Sequence, residues 1–142
     1  MTEGNGGSAR AWRPIESAAP VGGIPYSEAV LADDGTLYIS GQIALDAAGG
    51  AIAGGIEAQT RYVLGAIRTL VELAGGSTAD VLFVTTHLVD AADFDGFNSV
   101  YRDAFTPPYP ARITTVAGAL LADGVLIESS AVARIRAARP AG

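Results

Sequence analysis

Residues 81–112 decide the fold, and they read VLFVTTHLVDAADFDGFNSVYRDAFTPPYPAR. The first nine residues, 81–89, are rich in β-branched side chains and predict a central strand. Asp93 is a suitable N-cap for a helix that runs through Phe105, and the prolines that follow end this helix. The stretch therefore predicts a strand, a helix and, at Arg112, the entrance to another strand.

Strand and helix patterns also extend to both sides of this stretch. Residues 28–43 predict a β-hairpin around a tight turn, and the apolar residues of 56–74 recur at helical spacing. Downstream, 113–120 and 125–135 predict the last two strands. The order β-β-α-β-α-β-β predicts an α+β fold with one mixed sheet and two helices on one face.

The chain divides into one domain and two short ends. Residues 14–135 predict a single domain, 1–13 a flexible leader and 136–142 a tail. No segment is left to cover the second face of the sheet, so we expect oligomerisation to cover it.

The composition excludes several classes of function. The 142 residues carry a net charge of −6 and contain no lysine, which argues against binding nucleic acid. There is no cysteine and only one histidine, so disulfides and a metal centre are not expected. Neither a signal peptide nor a membrane span is visible, and we expect a cytoplasmic protein.

Arg112 and Glu128 are the first candidates for a functional site. Arginine can bind a carboxylate through two parallel hydrogen bonds. Glu128 lies within an apolar strand pattern, where desolvation would raise its pKa and suit it to proton transfer. The structural alternative for Arg112 is a salt bridge between subunits. For Glu128 it is an ion pair with Arg134 or with Arg112, on strands expected to be adjacent.

Short motifs occur in order along most of the chain. They are Pro25-Tyr26-Ser27-Glu28-Ala29, Ile39-Ser40-Gly41-Gln42-Ile43, Asp93-Phe94 with Asn98 and Tyr101, Tyr109-Pro110-Ala111-Arg112, and Ile127-Glu128. In this arrangement the chain resembles the RidA/YjgF family of enamine/imine deaminases.

The resemblance implies a fold, an assembly and an activity. The fold is chorismate-mutase-like and the assembly is a homotrimer, with sheets lining a central barrel and pockets between subunits. Family members hydrolyse small 2-imino acids of the 2-aminoacrylate type to 2-keto acids and ammonia. They need neither a cofactor nor a metal, so we expect none here.

The resemblance also implies roles for single residues. Arg112 matches the arginine that holds the substrate carboxylate, and Glu128 matches the glutamate associated with the attacking water. Tyr26, Ser40 and Asn98 match residues that line the substrate pocket.

Two departures from the family pattern leave alternatives open. Ile24 adds a residue before Pro25-Tyr26, and Thr114 stands where many members have a cysteine, so we include Thr114 among the substrate-binding candidates. One alternative is an enzyme of a specialised biosynthetic pathway that acts on a larger imine or carbonyl intermediate. Another is a trimer that binds small carboxylates without catalysis. His87 is expected to be structural.

Overall fold

The computed structural model describes residues 9–17 and 23–136. They contain six strands and two α-helices. The strands are β1 Trp12–Ile15, β2 Ala29–Ala32, β3 Thr36–Gln42, β4 Val81–Leu88, β5 Ala111–Val116 and β6 Ile127–Arg134. The helices are α1 Gly55–Leu73 and α2 Phe94–Ala104. The sequence patterns predict all of these elements except β1.

The strands form one mixed sheet with the order β1-β2-β3-β6-β4-β5. Strands β4 and β5 run parallel, and the other neighbouring pairs are antiparallel. The predicted α+β class, with one mixed sheet and two helices, is confirmed. Strand β1 pairs with β2, so the sheet begins inside the segment 1–13 that was expected to be a leader. Residues 1–8 of that leader and 137–142 of the predicted tail lie outside the described residues.

Both helices contribute to one core on the same face of the sheet. Helix α1 buries Val63 and Ile67, which lie one turn apart, and α2 buries Phe97. On β6 the residues facing this core, such as Ile127 and Ala131, are buried, while the residues between them are only half-buried. This alternation is expected of a strand that is covered on one face only.

The start of α2 differs in detail from the prediction. A 3₁₀ turn at Ala91–Asp93 precedes the helix. The carboxylate of Asp90 accepts the N–H of Ala92 at 2.9 Å, whereas the side chain of Asp93 makes no capping hydrogen bond. The extra turn moves the capping position three residues upstream, from Asp93 to Asp90, because the first unpaired N–H groups belong to the 3₁₀ turn.

The other face of the sheet is covered by no helix in the part of the chain that the structure describes. This open face carries Tyr38, Phe83 and Ile113, whose exposed fractions are 52%, 38% and 50%, together with Glu128. Three large apolar side chains on one sheet face are characteristic of a surface that packs against another chain.

Neither described helix is long and apolar enough to cross a lipid bilayer.

Gly35 in the β2–β3 turn is expected to resist substitution. Its φ is +91°, and a Cβ there would lie 2.5 Å from the carbonyl oxygen of Ile135. Gly49 is the matched control, because its φ of +85° is similar but a Cβ would meet nothing within 4 Å. We expect Gly49→Ala to cost about 1–2 kcal/mol of unfolding free energy, and Gly35→Ala at least about 1 kcal/mol more. Urea denaturation measures both, and equal losses would contradict the clash with Ile135.

Candidate functional site

Arg112 is brought to the helix-covered face by the register of β5. It pairs with Val84 in the β4–β5 ladder, and Val84 is fully buried beneath the helices. The guanidinium carbon lies 4.8 Å from the ring centroid of Tyr101 and 5.4 Å from that of Phe97. The ring of Phe94 lies 5.9 Å away. Cations are attracted to aromatic faces within about 6 Å, so these rings of α2 help to hold the guanidinium in place.

A cleft of about 230 Å³ lies between α2 and the edge strand β5. We call it the arginine cleft, and it is lined by Asn98, Tyr101, Arg102, Tyr109, Pro110 and Arg112. The structure therefore brings together two of the predicted site residues, Arg112 and Asn98.

No carboxylate forms an ion pair with Arg112 within residues 9–17 and 23–136. The ion pair found there joins Arg68 and Glu72 at 3.8 Å on the exposed side of α1. The proposed structural pairing of Arg112 with Glu128 is therefore wrong for a single chain. The guanidinium retains the capacity to bind an anion from outside that chain.

Two buried hydroxyl groups near Arg112 make no hydrogen bond to any described residue. One belongs to Thr114, which follows Arg112 by two positions on the same face of β5, and the other belongs to Tyr101. An unpaired buried hydroxyl costs about 1–3 kcal/mol, so each is well suited to accept a partner from a ligand or a second chain. Burial raises the pKa of Tyr101, although the positive charge of Arg112 opposes this effect. Tyr101 is therefore protonated at neutral pH and able to donate its O–H.

Glu128 lies on the open face of the sheet rather than in the core. Its neighbours along β6, Ile127 and Ser129, are buried, whereas Glu128 is half-buried. Its carboxylate lies over Gly41 of β3, where an added Cβ would overlap the carboxylate oxygen Oε1. The missing side chain at Gly41 therefore provides the space that Glu128 occupies.

A second cleft, of about 420 Å³, lies beside this contact. We call it the Tyr26 cleft, and its lining includes Tyr26, Glu28, Gly41, Gln42 and Tyr62. Gly41 belongs to this cleft and also lies against Glu128, so it connects the cleft that contains Tyr26 with the carboxylate of Glu128.

Ser40 has a structural hydrogen bond in the single chain. Its hydroxyl donates to the carbonyl oxygen of Ser27 at 2.6 Å, and its N–H donates to the carbonyl oxygen of Glu28 at 2.9 Å. These bonds hold the segment after Tyr26 against β3. The contact between Ser40 and a ligand stays a prediction.

Strand β4 separates the two charged residues of the predicted site. The expectation that Arg112 and Glu128 occupy adjacent strands is wrong, because β4 lies between β5 and β6. Glu128 pairs with His87 of β4, whereas Arg112 pairs with Val84. Positions 84 and 87 of a strand point to opposite faces, so Arg112 faces the helices and Glu128 faces the open side. One chain therefore keeps the predicted site residues Arg112 and Glu128 on opposite faces of its sheet.

Comparison with known proteins identifies the family. The family model described as Endoribonuclease L-PSP matches residues 16–135. A RutC family protein of Pyrococcus horikoshii is 44% identical over 115 residues, which are 80% of this chain and 88% of that protein. The chain belongs to the RidA/YjgF family.

Solved structures of similar proteins agree with the RidA/YjgF fold. A putative endoribonuclease from Thermotoga maritima has a TM-score of 0.79 and 33% identity, covering 88% of this chain and 98% of its own. RidA from the Antarctic bacterium Psychrobacter has a TM-score of 0.77 and 33% identity, covering 87% of this chain and 100% of its own. These similarities confirm the family fold that the motifs imply.

In this RidA/YjgF chain, the role of Tyr101 in the site was not predicted from the sequence. Tyr101 was noted only as one member of a motif. The available signal was its spacing from Asn98, because residues three apart on a helix share a face. Both residues line the arginine cleft.

Removing the hydroxyl of Tyr101 tests whether that group is unpaired. We expect Tyr101→Phe to raise the free energy of unfolding by up to about 1 kcal/mol, because the unpaired hydroxyl is buried at a cost. Tyr62→Phe is the control, since Tyr62 is 46% exposed, and it should leave stability unchanged. Urea denaturation without ligand measures both, and a loss above about 1 kcal/mol for Tyr101→Phe would show that the hydroxyl has a partner.

Proposed function

We propose that this protein hydrolyses small 2-imino acids to 2-keto acids and ammonia, as a cytoplasmic homotrimer with sites between its subunits. Family membership supports the reaction class. The observation that carries the proposal is the arginine cleft, in which a guanidinium without a carboxylate partner in the described chain lies beside Tyr101, whose buried hydroxyl makes no hydrogen bond to a described residue. No cofactor or metal is part of the proposal.

The arginine cleft is suited to a small carboxylate. The guanidinium of Arg112 presents parallel N–H donors, and the rings of Phe97 and Tyr101 shield it from water on one side. Tyr101, which lines the same cleft, adds a hydroxyl group, and Thr114 follows Arg112 on the same face of β5. A cleft of about 230 Å³ is smaller than the usual sites for drug-sized ligands, which favours a small imino acid over a bulky one.

The reaction needs one group that moves a proton and a site that orients water. As water attacks C2 of the protonated imine, the new C–O bond forms, the π electrons of the C=N bond move to nitrogen, and the carboxylate of Glu128 takes the proton that the water loses. Glu128 then gives this proton to the nitrogen of the carbinolamine. As the C–N bond breaks and the C=O bond forms, the hydroxyl proton passes through Glu128 to the departing ammonia, which leaves as ammonium, so the carboxylate of Glu128 is regenerated. An oriented water and one acid–base residue are sufficient for such a step.

A second copy is needed to complete the proposed site. Arg112 and Glu128 face opposite sides of their own sheet, so neither can reach a ligand held by the other within one chain. The open face offers Tyr38, Phe83 and Ile113 for contact with another copy. We therefore propose that the arginine cleft of one copy meets the Glu128 side of the next.

Ribonuclease activity receives less support than imine hydrolysis. The family model and some similar structures bear the name endoribonuclease. A net charge of −6 and the absence of lysine from the sequence provide little attraction for the phosphates of RNA.

Removing the guanidinium tests the reaction. A coupled enzyme that releases 2-iminopropionate supplies the substrate, and the disappearance of the imine is followed. We expect Arg112→Ala to lower kcat/KM by about 30-fold or more, because a charge-assisted carboxylate contact is lost. Arg112→Lys retains the charge without the two parallel donors and should give an intermediate rate. Equal rates for wild type and Arg112→Ala would rule out this use of the site.

Mixing two inactive variants tests whether the site is shared. Arg112→Ala and Glu128→Gln proteins are unfolded, mixed in equal amounts and refolded, and light scattering checks for three copies per particle. If each site takes one residue from each of two copies, about one quarter of the sites regain both residues and about one quarter of wild-type activity returns. A mixture as inactive as its parents would show that both residues act from one chain.

A further inference from the structure

His87, the single histidine of the chain, lies beside Glu128 on the open face. The two residues are directly opposite each other in the antiparallel β4–β6 ladder, so their Cβ atoms are about 4.5–5.5 Å apart. On its other side, His87 is level with Thr115 of β5, and its Nδ1 lies 2.6 Å from the hydroxyl of Thr115. The sequence predicted a structural role for His87 and did not indicate that it lies beside Glu128.

The ring is therefore held in place while one nitrogen is left for another partner. The bond to Thr115 fixes the ring through Nδ1, and Nε2 makes no hydrogen bond to any described residue. The carboxylate of Glu128 lies over Gly41, on the far side of β6 from His87. A row of four positions thus crosses the sheet, with Gly41, Glu128, His87 and Thr115 on strands β3, β6, β4 and β5.

We propose that His87 is a positioning residue for Glu128. When its ring is protonated, the positive charge favours the ionised carboxylate and weakens Glu128 as a base. When the pH rises through the pKa of the histidine, that charge is lost and the carboxylate becomes the stronger base. The effect on the reaction rests on the proposed function, but the coupling between the two side chains does not.

Few other titratable groups lie near this pair. Tyr26 and Glu28 line the cleft that includes Gly41, and the carboxylate of Glu28 accepts the N–H and the hydroxyl of Ser17 at 3.0 and 2.6 Å. On the open side of β6 the next charge is Arg134, six positions away and thus roughly 20 Å along the strand. Strands β3 and β5 present Tyr38, Ile113 and Thr115 there, which are uncharged at neutral pH. Asp90 lies beyond the end of β4, and its carboxylate accepts a hydrogen bond from the N–H of Ala92.

Arg112 of the same chain lies on the opposite face. In the proposed assembly, the arginine cleft of a second copy brings another Arg112 towards Glu128. The titration of His87 is therefore measured on the assembled, full-length protein.

The coupling is measured by NMR, because a single histidine gives one unambiguous pair of imidazole C–H signals in protein without a histidine tag. We expect the pKa of His87 to be at least about half a unit lower in Glu128→Gln than in wild type. Glu72→Gln is the matched control, since Glu72 lies exposed on α1 beside Arg68 and its loss should not move the titration. Equal pKa values in wild type and Glu128→Gln would overturn the proposal.

A rate comparison tests the consequence for catalysis. His87→Gln removes the titrating charge and keeps an amide for the bond to Thr115. The ratio of kcat/KM between wild type and His87→Gln should rise about two- to fivefold between pH 6 and 8, centred on the pKa measured by NMR. This ratio cancels the protonation of the imine itself.

A ratio that does not change with pH would overturn the role of His87 in the reaction. If wild-type protein hydrolyses no imine at any pH, the proposed function fails, and the NMR titration still decides whether His87 and Glu128 are coupled.

Discussion

The position of β4 between β5 and β6 is the constraint on which the rest of the structure depends. Strand β4 is hydrogen-bonded to both neighbours, parallel to β5 and antiparallel to β6. The parallel pairing requires a crossover, which α2 supplies, so the helix lies over the face that Arg112 shares with Val84. The alternation of side chains along β4 then places His87 and Glu128 on the other face.

The interactions around Arg112 support the proposal that this region binds a ligand. A structural arginine normally has a carboxylate close by, whereas this one rests on the rings of Phe97 and Tyr101. Tyr101 and Thr114 each bury a hydroxyl without a hydrogen bond in the described chain, which lowers stability unless a partner is bound. Buried polar groups without hydrogen-bond partners are expected where a fold keeps these groups for a ligand.

Local patterns predicted the elements well and their pairing poorly. The hairpin and both helices follow from turn residues and apolar spacing, which are local properties. Strand β1 was missed because it has four residues, contains Pro14 and buries only Ile15. The insertion of β4 between the last two strands is a long-range property, and no local signal reports it. The sequence therefore identified Arg112 and Glu128 as candidates but misplaced them relative to each other.

The open face also restricts how a second copy is able to pack there. Covering Tyr38, Phe83 and Ile113 is favourable because these side chains are large and apolar. Covering Glu128 in the same way would bury a carboxylate, which is costly unless a positive group or water lies beside it. His87 is such a group from the same chain when its ring is protonated. In the proposed assembly, Arg112 of a neighbouring copy is a second one, and it is charged at any pH. In the proposed assembly, the contact that buries the apolar residues must therefore leave a cleft at Glu128, and the charge that compensates Glu128 also binds the substrate.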